Sequence, residues 1–193
     1  MDEVGRGPWA GPVVAAAVVL SPRDLRWRHG PWSLAGARID DSKRLTPLQR
    51  ERACRHILDR ADVGVGIVTA DVIDASRIHR ATFRAMQHAV EALQEPPKLV
   101  LVDGAWPLSL ACPCHAIIGG DRLQISIACA SIVAKVLRDS LMTFYHRLFP
   151  DWGFDRHKGY GTALHRAALA QRGPSPLHRA SFRPVAEVLR RFP

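Results

Sequence analysis

Residues 2–20 read Asp2-Glu3-Val4-Gly5-Arg6-Gly7-Pro8-Trp9-Ala10-Gly11-Pro12 and then VVAAAVVL, and the fold turns on how this stretch is understood. The second part, Val13–Leu20, is a run of small and β-branched apolar residues with no polar interruption. Such a run reads as a strand buried on both faces, which belongs inside an α/β sheet covered by helices on either side. The first part carries too much Gly and Pro for regular structure and predicts a turn. Ahead of that turn stands a pair of acids, Asp2 and Glu3.

Buried strand meeting acid at a loop recurs further on. Lys98–Val102 (KLVLV) predicts a short buried strand ending at Asp103-Gly104, and His115–Ile118 predicts another ending at Gly119-Gly120-Asp121. Strand-end carboxylates in an α/β sheet converge on one rim, where ligands of such sheets bind. Clustered carboxylates repel and cannot all ionise without a cation. Hard oxygen donors of this kind suit Mg2+ or Mn2+, which also bind substrate phosphate. Two such ions about 4 Å apart are a recurrent device for in-line phosphodiester cleavage. Taken singly, each Asp also reads as a turn residue, and spacing alone does not identify an enzyme.

Working outward, residues 21–46 read as loop, ending in Asp40-Asp41-Ser42-Lys43-Arg44-Leu45-Thr46. Thr46-Pro47 predicts a helix start, since Thr caps and Pro suits the first helical position. Val63–Thr69 alternates like a strand. Asp71 to Leu93 predicts one longer helix, with Phe83, Met86, Val90 and Leu93 on its apolar face, stopped by Pro96-Pro97. A long helix is marked by Ala128, Ile132, Val136, Leu137, Leu141, Phe144 and Leu148. Short helices are expected over 162–171 and 184–192. No repeat or linker interrupts the 193 residues, so a single α/β domain over 1–193 is expected, with a core over about 1–150 and a helical C-terminal segment over about 151–193.

The formal net charge is +9, unevenly distributed: residues 131–193 hold 11 Lys/Arg against 4 Asp/Glu, whereas residues 1–130 hold 16 against 14. A basic end beside a near-neutral remainder fits a polyanionic partner, and equally fits a chain whose exposed positions default to Arg. Of Cys54, Cys112, Cys114 and Cys129, the Cys112-Pro-Cys114-His115 cluster lacks the spacing and the second ligand pair of a zinc site, so packed thiols in a reducing compartment are expected. The Met-Asp-Glu start does not read as a signal peptide, and the longest apolar run is too short for a membrane span. A cytoplasmic protein is expected. Trp9, Trp27, Trp32, Trp106 and Trp152 show no stacking-platform spacing and read as packing residues.

The segment Asp2-Glu3-Val4-Gly5-Arg6-Gly7-Pro8-Trp9-Ala10-Gly11-Pro12-Val13-Val14 resembles the N-terminal signature of the ribonuclease HII family, in its bacterial form. Further matches follow in the family's order: Asp41-Ser42-Lys43-Arg44-Leu45, Ala81-Thr82 with Ala85-Met86, Val102-Asp103-Gly104 and Gly120-Asp121. They continue through Ala130 to Val136 (ASIVAKV) with Arg138-Asp139, then His157-Lys158-Gly159-Tyr160-Gly161-Thr162, and close on His178-Arg179 with Ser181-Phe182.

The resemblance implies a ribonuclease H-like three-layer α/β/α sandwich with a mixed sheet and a helical C-terminal extension. It implies an endonuclease that cuts the RNA strand of RNA–DNA hybrids and cuts 5′ of single ribonucleotides in duplex DNA, leaving 3′-hydroxyl and 5′-phosphate ends. The family's catalytic, metal-binding acids fall on Asp2, Glu3, Asp103 and Asp121, for two Mg2+ or Mn2+ ions. Its turn that reads the ribose 2′-hydroxyl falls on Gly5, Arg6 and Gly7, and the tyrosine that packs on the following deoxyribose falls on Tyr160. Lys43 and Lys158 are candidate phosphate contacts, and His157 could touch phosphate. A monomer is expected, with RNA–DNA hybrid and ribonucleotide-containing duplex DNA as partners and no membrane.

Three positions depart from the family pattern. Arg77 stands where Asn is usual, and Cys129 where Ala is common. In the family several residues precede the Asp-Glu pair and begin a central strand, whereas here only Met1 does. That predicts a strand weakened at its start, with an α-amino group near the acids. The alternatives to an active enzyme are accordingly a non-catalytic hybrid-binding relative or an inactive, N-terminally truncated product.

Overall fold

The structure is a computed structural model and describes residues 1–21 and 32–191. Trp27 and the end of the expected last helix, Phe192, lie outside the described residues. The first strand, β1 (Asp2–Val4), pairs antiparallel with β2 (Val13–Leu20), and β2 pairs antiparallel with β5 (Ala61–Val68). Parallel strands β6 (Val100–Asp103) and β7 (Cys114–Ile117) continue the sheet. Met1 joins the two parts: its α-amino group donates to the Leu101 carbonyl at 2.8 Å, and its own carbonyl accepts from the Asp103 N–H at 3.1 Å.

Strand β2 is buried on both faces, as its composition predicts. Val14, Ala16 and Val18 face one apolar core and Val13, Ala15 and Ala17 face another. The first core lies under α5 (Ile125–Leu148) and α1 (Pro47–Arg60), the second under α3 (Ile78–Glu91). Helix, sheet and helix therefore form the three layers implied by the resemblance. Close approach explains the glycines of β5: a Cβ on Gly64 or Gly66 would lie 1.9 Å from the carbonyl oxygens of Ala89 and Ala85 on α3. Helix α1 begins as expected at Thr46, whose hydroxyl accepts from the Gln49 N–H while the Gln49 side chain accepts from the Thr46 N–H.

Three readings of the sequence need correction. The helix expected over Asp71–Leu93 is two, α2 (Ala70–Ser76) and α3, broken at Arg77 with φ +68°. The hydrophobic spacing runs through the break unchanged, so periodicity could not reveal it. Phe83 also leaves the predicted apolar face and is 42% exposed, while Ala81, Ala85, Met86 and Ala89 take the core. The expected loop 21–46 contains a hairpin, β3 (Trp32–Leu34) with β4 (Ala37–Ile39).

After β7 come the short α4 (Gly120–Leu123), then α5. The C-terminal segment adds a 3-10 turn (Pro150–Trp152), α6 (Phe154–His157), α7 (Ala163–Arg172) and α8 (Arg183–Leu189). Its return to the core is fixed at Asp74 of α2, whose carboxylate accepts the Ala180 and Ser181 N–H groups at 2.7 and 2.9 Å. Among the described residues no helix is long and apolar enough to cross a membrane.

Candidate active site

The strand ends bring the four sequence-predicted acids to one rim. Asp2 and Glu3 arrive on β1, Asp103 on the last residue of β6, and Asp121 in the first turn of α4. Asp2 is buried; its carboxylate accepts the Glu3 N–H at 2.7 Å and a hydrogen bond from Ser131 of α5. Ser131 is itself in contact with the Ser42 hydroxyl at 3.0 Å, so two buried hydroxyls support the most buried acid. Asp103 accepts the Gly120 N–H at 2.7 Å, which locks the end of β6 to the start of α4 and sets Asp121 beside it.

These carboxylates feel one another. Burial, and then the Glu3 charge, hold the Asp2 carboxyl well above the ordinary range. Burial raises Glu3 as well, against the opposing pull of Arg6. Burial, Asp41 and Asp103 together raise Asp121. Asp41 is thus a fifth acid at the rim, buried, with Oδ1 accepting the Lys43 N–H at 2.9 Å. Among the described residues no three Asp, Glu, His or Cys side chains close on a ready-made metal shell. Hard oxygen donors with too much negative charge are nevertheless what a hydrated divalent cation requires.

Over the rim lies the turn of residues 5–12. Gly5 has φ +98°, and a Cβ there would stand 2.3 Å from Arg138 Nε. Arg6 reaches back toward Glu3 (Nη1 to Oε1, 3.4 Å) and toward His79 of α3 (Nη2 to Nδ1, 3.4 Å). Two wholly buried arginines hold the turn by its carbonyls. Arg138 donates to Pro12, Ala10 and Lys158 carbonyls at 2.9, 3.1 and 2.9 Å. Arg179 donates to Gly11 twice (3.0 and 2.8 Å), to Arg6 at 3.1 Å and to Gly5 at 2.6 Å. Since Arg138 also grips Lys158, it ties the turn to the neighbouring loop 157–161; the Trp9 N–H donating to the Gly159 carbonyl at 2.8 Å does the same.

A combination of strand-end acids at one rim, a glycine turn clamped above them and a second loop carrying an exposed Tyr160 is what the sequence motifs require. The pattern of the family described as Ribonuclease HII matches residues 1–185. The chain belongs to the ribonuclease HII family. Members of this family are endonucleases acting on RNA–DNA hybrids. Over 190 residues it is 52% identical to Ribonuclease HII of Chloroflexus aurantiacus, covering 98% of this chain and 87% of the relative. With Ribonuclease HII of Geobacter sulfurreducens it shares 49% over 190 residues, covering 98% and 83%. Its fold is similar to ribonuclease H2 from Pyrococcus horikoshii OT3, with TM-score 0.78 and 25% identity over 99% of this chain and 96% of that one.

Beside this family assignment several residues take places that sequence reasoning did not give them. His157 is buried and faces inward. The Gly159 N–H donates to its Nδ1 at 3.1 Å, so its Nε2–H donates to the Trp152 carbonyl at 2.6 Å. It stacks on His165, ring centroids 4.2 Å apart, and is a support of the loop, not a phosphate contact. The Ser175 N–H donates to His178 Nδ1 at 2.9 Å, which leaves His178 Nε2–H to donate to His165 Nε2 at 2.9 Å. His165 Nδ1–H then donates to the Tyr160 carbonyl at 3.0 Å. Each ring holds one tautomer and is neutral. Burial holds His165 at about 4 and His178 at about 3.

Lys43 is exposed, and its charge reaches Asp121. Lys158 turns away along α5, its Nζ donating to the Thr143 hydroxyl at 2.6 Å. Arg77 is exposed at the helix break, and Cys129 is buried in α5, its thiol pushed up to about 12 by burial. Trp9 and Trp152 pack as expected: Arg166 lies over the Trp9 ring at 5.3 Å, and Trp152 Nε1 donates to the Gly173 carbonyl at 3.0 Å. Trp106 does not pack; it is 75% exposed. Signals for Arg138, Arg179, Ser131 and Asp41 existed only as members of matched motifs, with nothing local to indicate burial.

Proposed function

We propose that this chain cuts 5′ of single ribonucleotides embedded in duplex DNA as well as within the RNA strand of hybrids, leaving 3′-hydroxyl and 5′-phosphate ends. The observation that carries this reading is the convergence of Asp2, Glu3, Asp103 and Asp121 beneath the clamped turn of Gly5, Arg6 and Gly7. In the reaction, water attacks the phosphorus, the bond to the 3′ oxygen breaks, and that oxygen leaves as a hydroxyl. The four acids are the residues that would hold two divalent cations, Mg2+ or Mn2+. When bound, such ions supply activation of the water and charge stabilisation at the leaving oxygen.

This chain's own groups do the reading. The Gly5-Arg6-Gly7 backbone presents itself closely because glycine leaves room for a sugar, and the 2′-hydroxyl is the feature that separates RNA from DNA. Tyr160 offers an exposed ring for the deoxyribose that follows, set by its carbonyl on His165. Lys43, exposed with its charge reaching Asp121, is the nearer phosphate partner, Lys158 could serve only by leaving the Thr143 hydroxyl, and the basic C-terminal third adds salt-dependent affinity. The whole chain acts as one catalytic domain, a monomer in the cytoplasm.

The test is a DNA duplex carrying one ribonucleotide, incubated with Mg2+ or Mn2+. Cleavage on its 5′ side with a 3′-hydroxyl product is expected. No cleavage, or a 2′,3′-cyclic phosphate end, would refute the reading.

A further inference from the structure

A pocket of about 260 Å3 opens beside the rim, sharing Glu3, Arg6 and Asp103 with it. Besides His79 and Thr82, its other walls are mainly apolar, with Phe83 and Met86 from α3 and Trp106 from the loop after β6. Trp106 is 75% and Phe83 42% exposed. Two large aromatic side chains left open to water at the edge of a reactive site mark a contact surface rather than core. The volume lies below the roughly 300 Å3 where pockets for drug-sized molecules begin, so it suits part of a nucleotide.

Position indicates which part. Tyr160 lies on the α5 side of the turn, with Arg138 5.7 Å and Lys135 6.0 Å from its ring centroid. The pocket is built on α3 and β6, on the other side of Arg6. A strand that leaves its 3′ neighbour on Tyr160 and passes Arg6 over the carboxylates brings its 5′ neighbour here. In a duplex the bases are paired and stacked, so the sugar is what an apolar wall can meet. Arg6 and His79, the basic groups at the mouth, lie where flanking phosphate would pass.

We propose that this pocket receives the sugar ring of the nucleotide immediately 5′ of the scissile phosphate, with Trp106 and Phe83 as its packing walls and specificity-determining residues. The proposal rests on the cleavage activity proposed above. It extends substrate reading to a second sugar, on the leaving-group side.

Trp106→Ala tests it on three duplexes, each with one ribonucleotide. In the first the 5′ neighbour is intact, in the second it is abasic but keeps its ring, and in the third a propanediol linker removes base and ring. The expected result is a loss of about tenfold in kcat/KM, the scale of one aromatic contact, on the first two duplexes. On the third the variant should equal wild type, and Trp106→Tyr should restore most of the loss. Phe83→Ala should repeat the pattern, with Phe83→Leu as a milder change. Equal loss on all three substrates overturns the proposal, as does a loss that already vanishes on the abasic one, which would mean recognition of the base. Failure of wild type to cut any of the three would instead refute the activity, and the pocket's role with it.

Discussion

The two loops over the rim, residues 5–12 and 157–161, lie side by side but are pinned by opposite chemistry. The first hangs from two buried guanidinium groups through six hydrogen bonds to carbonyls of residues 5, 6, 10, 11 and 12. Burial, with the neighbouring Arg138 charge, pulls Arg179 down only to about 9, so this clamp stays charged at neutral pH. The second loop rests on three neutral histidines whose tautomers are all fixed by main-chain partners. Both devices hold backbone, which leaves the Tyr160 ring exposed and the Arg6 guanidinium directed at Glu3 and His79. They differ in what they tolerate: the arginine clamp needs a fork of donors, and the histidine stack needs the absence of protons.

Neither loop provides the carboxylates, and the largest effect should come from beneath them. Asp103→Asn keeps the acceptor for the Gly120 N–H, so the fold should stand. Loss of a charged ligand should lower the rate by about a thousandfold, the upper scale for removing one preorganised electrostatic group. Binding to hybrid should be largely retained, because phosphate contacts elsewhere carry affinity. Single-turnover cleavage and a filter-binding titration check both halves, and a near wild-type rate would remove Asp103 from the metal set.

Breaking the arginine clamp should be a stability effect. Arg179→Met strands the carbonyls of Gly5, Arg6 and Gly11 without donors. Counting the two buried carbonyls, of Gly5 and Gly11, at about 1–3 kcal/mol each, the cost is about 3 kcal/mol. In a chain of this size that is a fall in Tm of about 10 °C. Arg138→Lys keeps the charge but cannot span Pro12, Ala10 and Lys158 at once, and should be impaired nearly as much as Arg138→Met. A fully tolerated lysine would show that charge, not geometry, holds the turn.

Acid should act on the histidine stack alone among the two clamps. His165 at about 4 and His178 at about 3 lie below their ordinary 6.5. The unfolded chain therefore binds protons first, and their stabilising contribution is full above pH 6.5 and lost as pH falls toward 4 and 3. Each contributes a slope of up to about 1.4 kcal/mol per pH unit in that window. The rim has the opposite sign, because Asp2, Glu3 and Asp121 are raised and their protonation favours the folded state. Tm measured from pH 7 to 4.5 should fall less in His165→Asn, whose amide takes the place of the Nδ1 that meets the Tyr160 carbonyl, than in wild type. Parallel curves would mean that the stack does not titrate in this range.

The same contrast governs what was legible in sequence. VVAAAVVL encodes its own burial, and acids after strands announce themselves within a few residues, so β2 and the rim could be read directly. The family motifs then supplied roles for Gly5, Arg6, Gly7 and Tyr160. Arg138 and Arg179 contact carbonyls 126 and 168 residues away in sequence, and an Arg normally reads as surface. His157 read as a possible phosphate contact because it sits in a matched motif, although the ring faces the core. Arg77 breaks a helix without disturbing its period, and only backbone geometry reveals that Phe83 is left facing the pocket.

The smallest effect, and the one that separates the loops' functions, belongs to Tyr160. Its ring is 40% exposed and makes no hydrogen bond among the described residues, while its carbonyl does the structural work through His165. Tyr160→Ala should therefore leave Tm within about 1 °C, as surface substitutions do. Cleavage at a single embedded ribonucleotide should slow by about fivefold, since losing one aromatic contact is worth about 1 kcal/mol. On a long hybrid the slowing should be smaller. A lone ribonucleotide allows one register, so the missing ring cannot be evaded, whereas a hybrid offers many registers and the enzyme can settle on those least dependent on the contact. Tyr160→Phe should behave as wild type on both substrates, because packing on a deoxyribose needs the ring and not the hydroxyl. Equal slowing of Tyr160→Ala on the two substrates would show that loop 157–161 supports catalysis in general instead of reading the junction, and would make the two loops one functional unit.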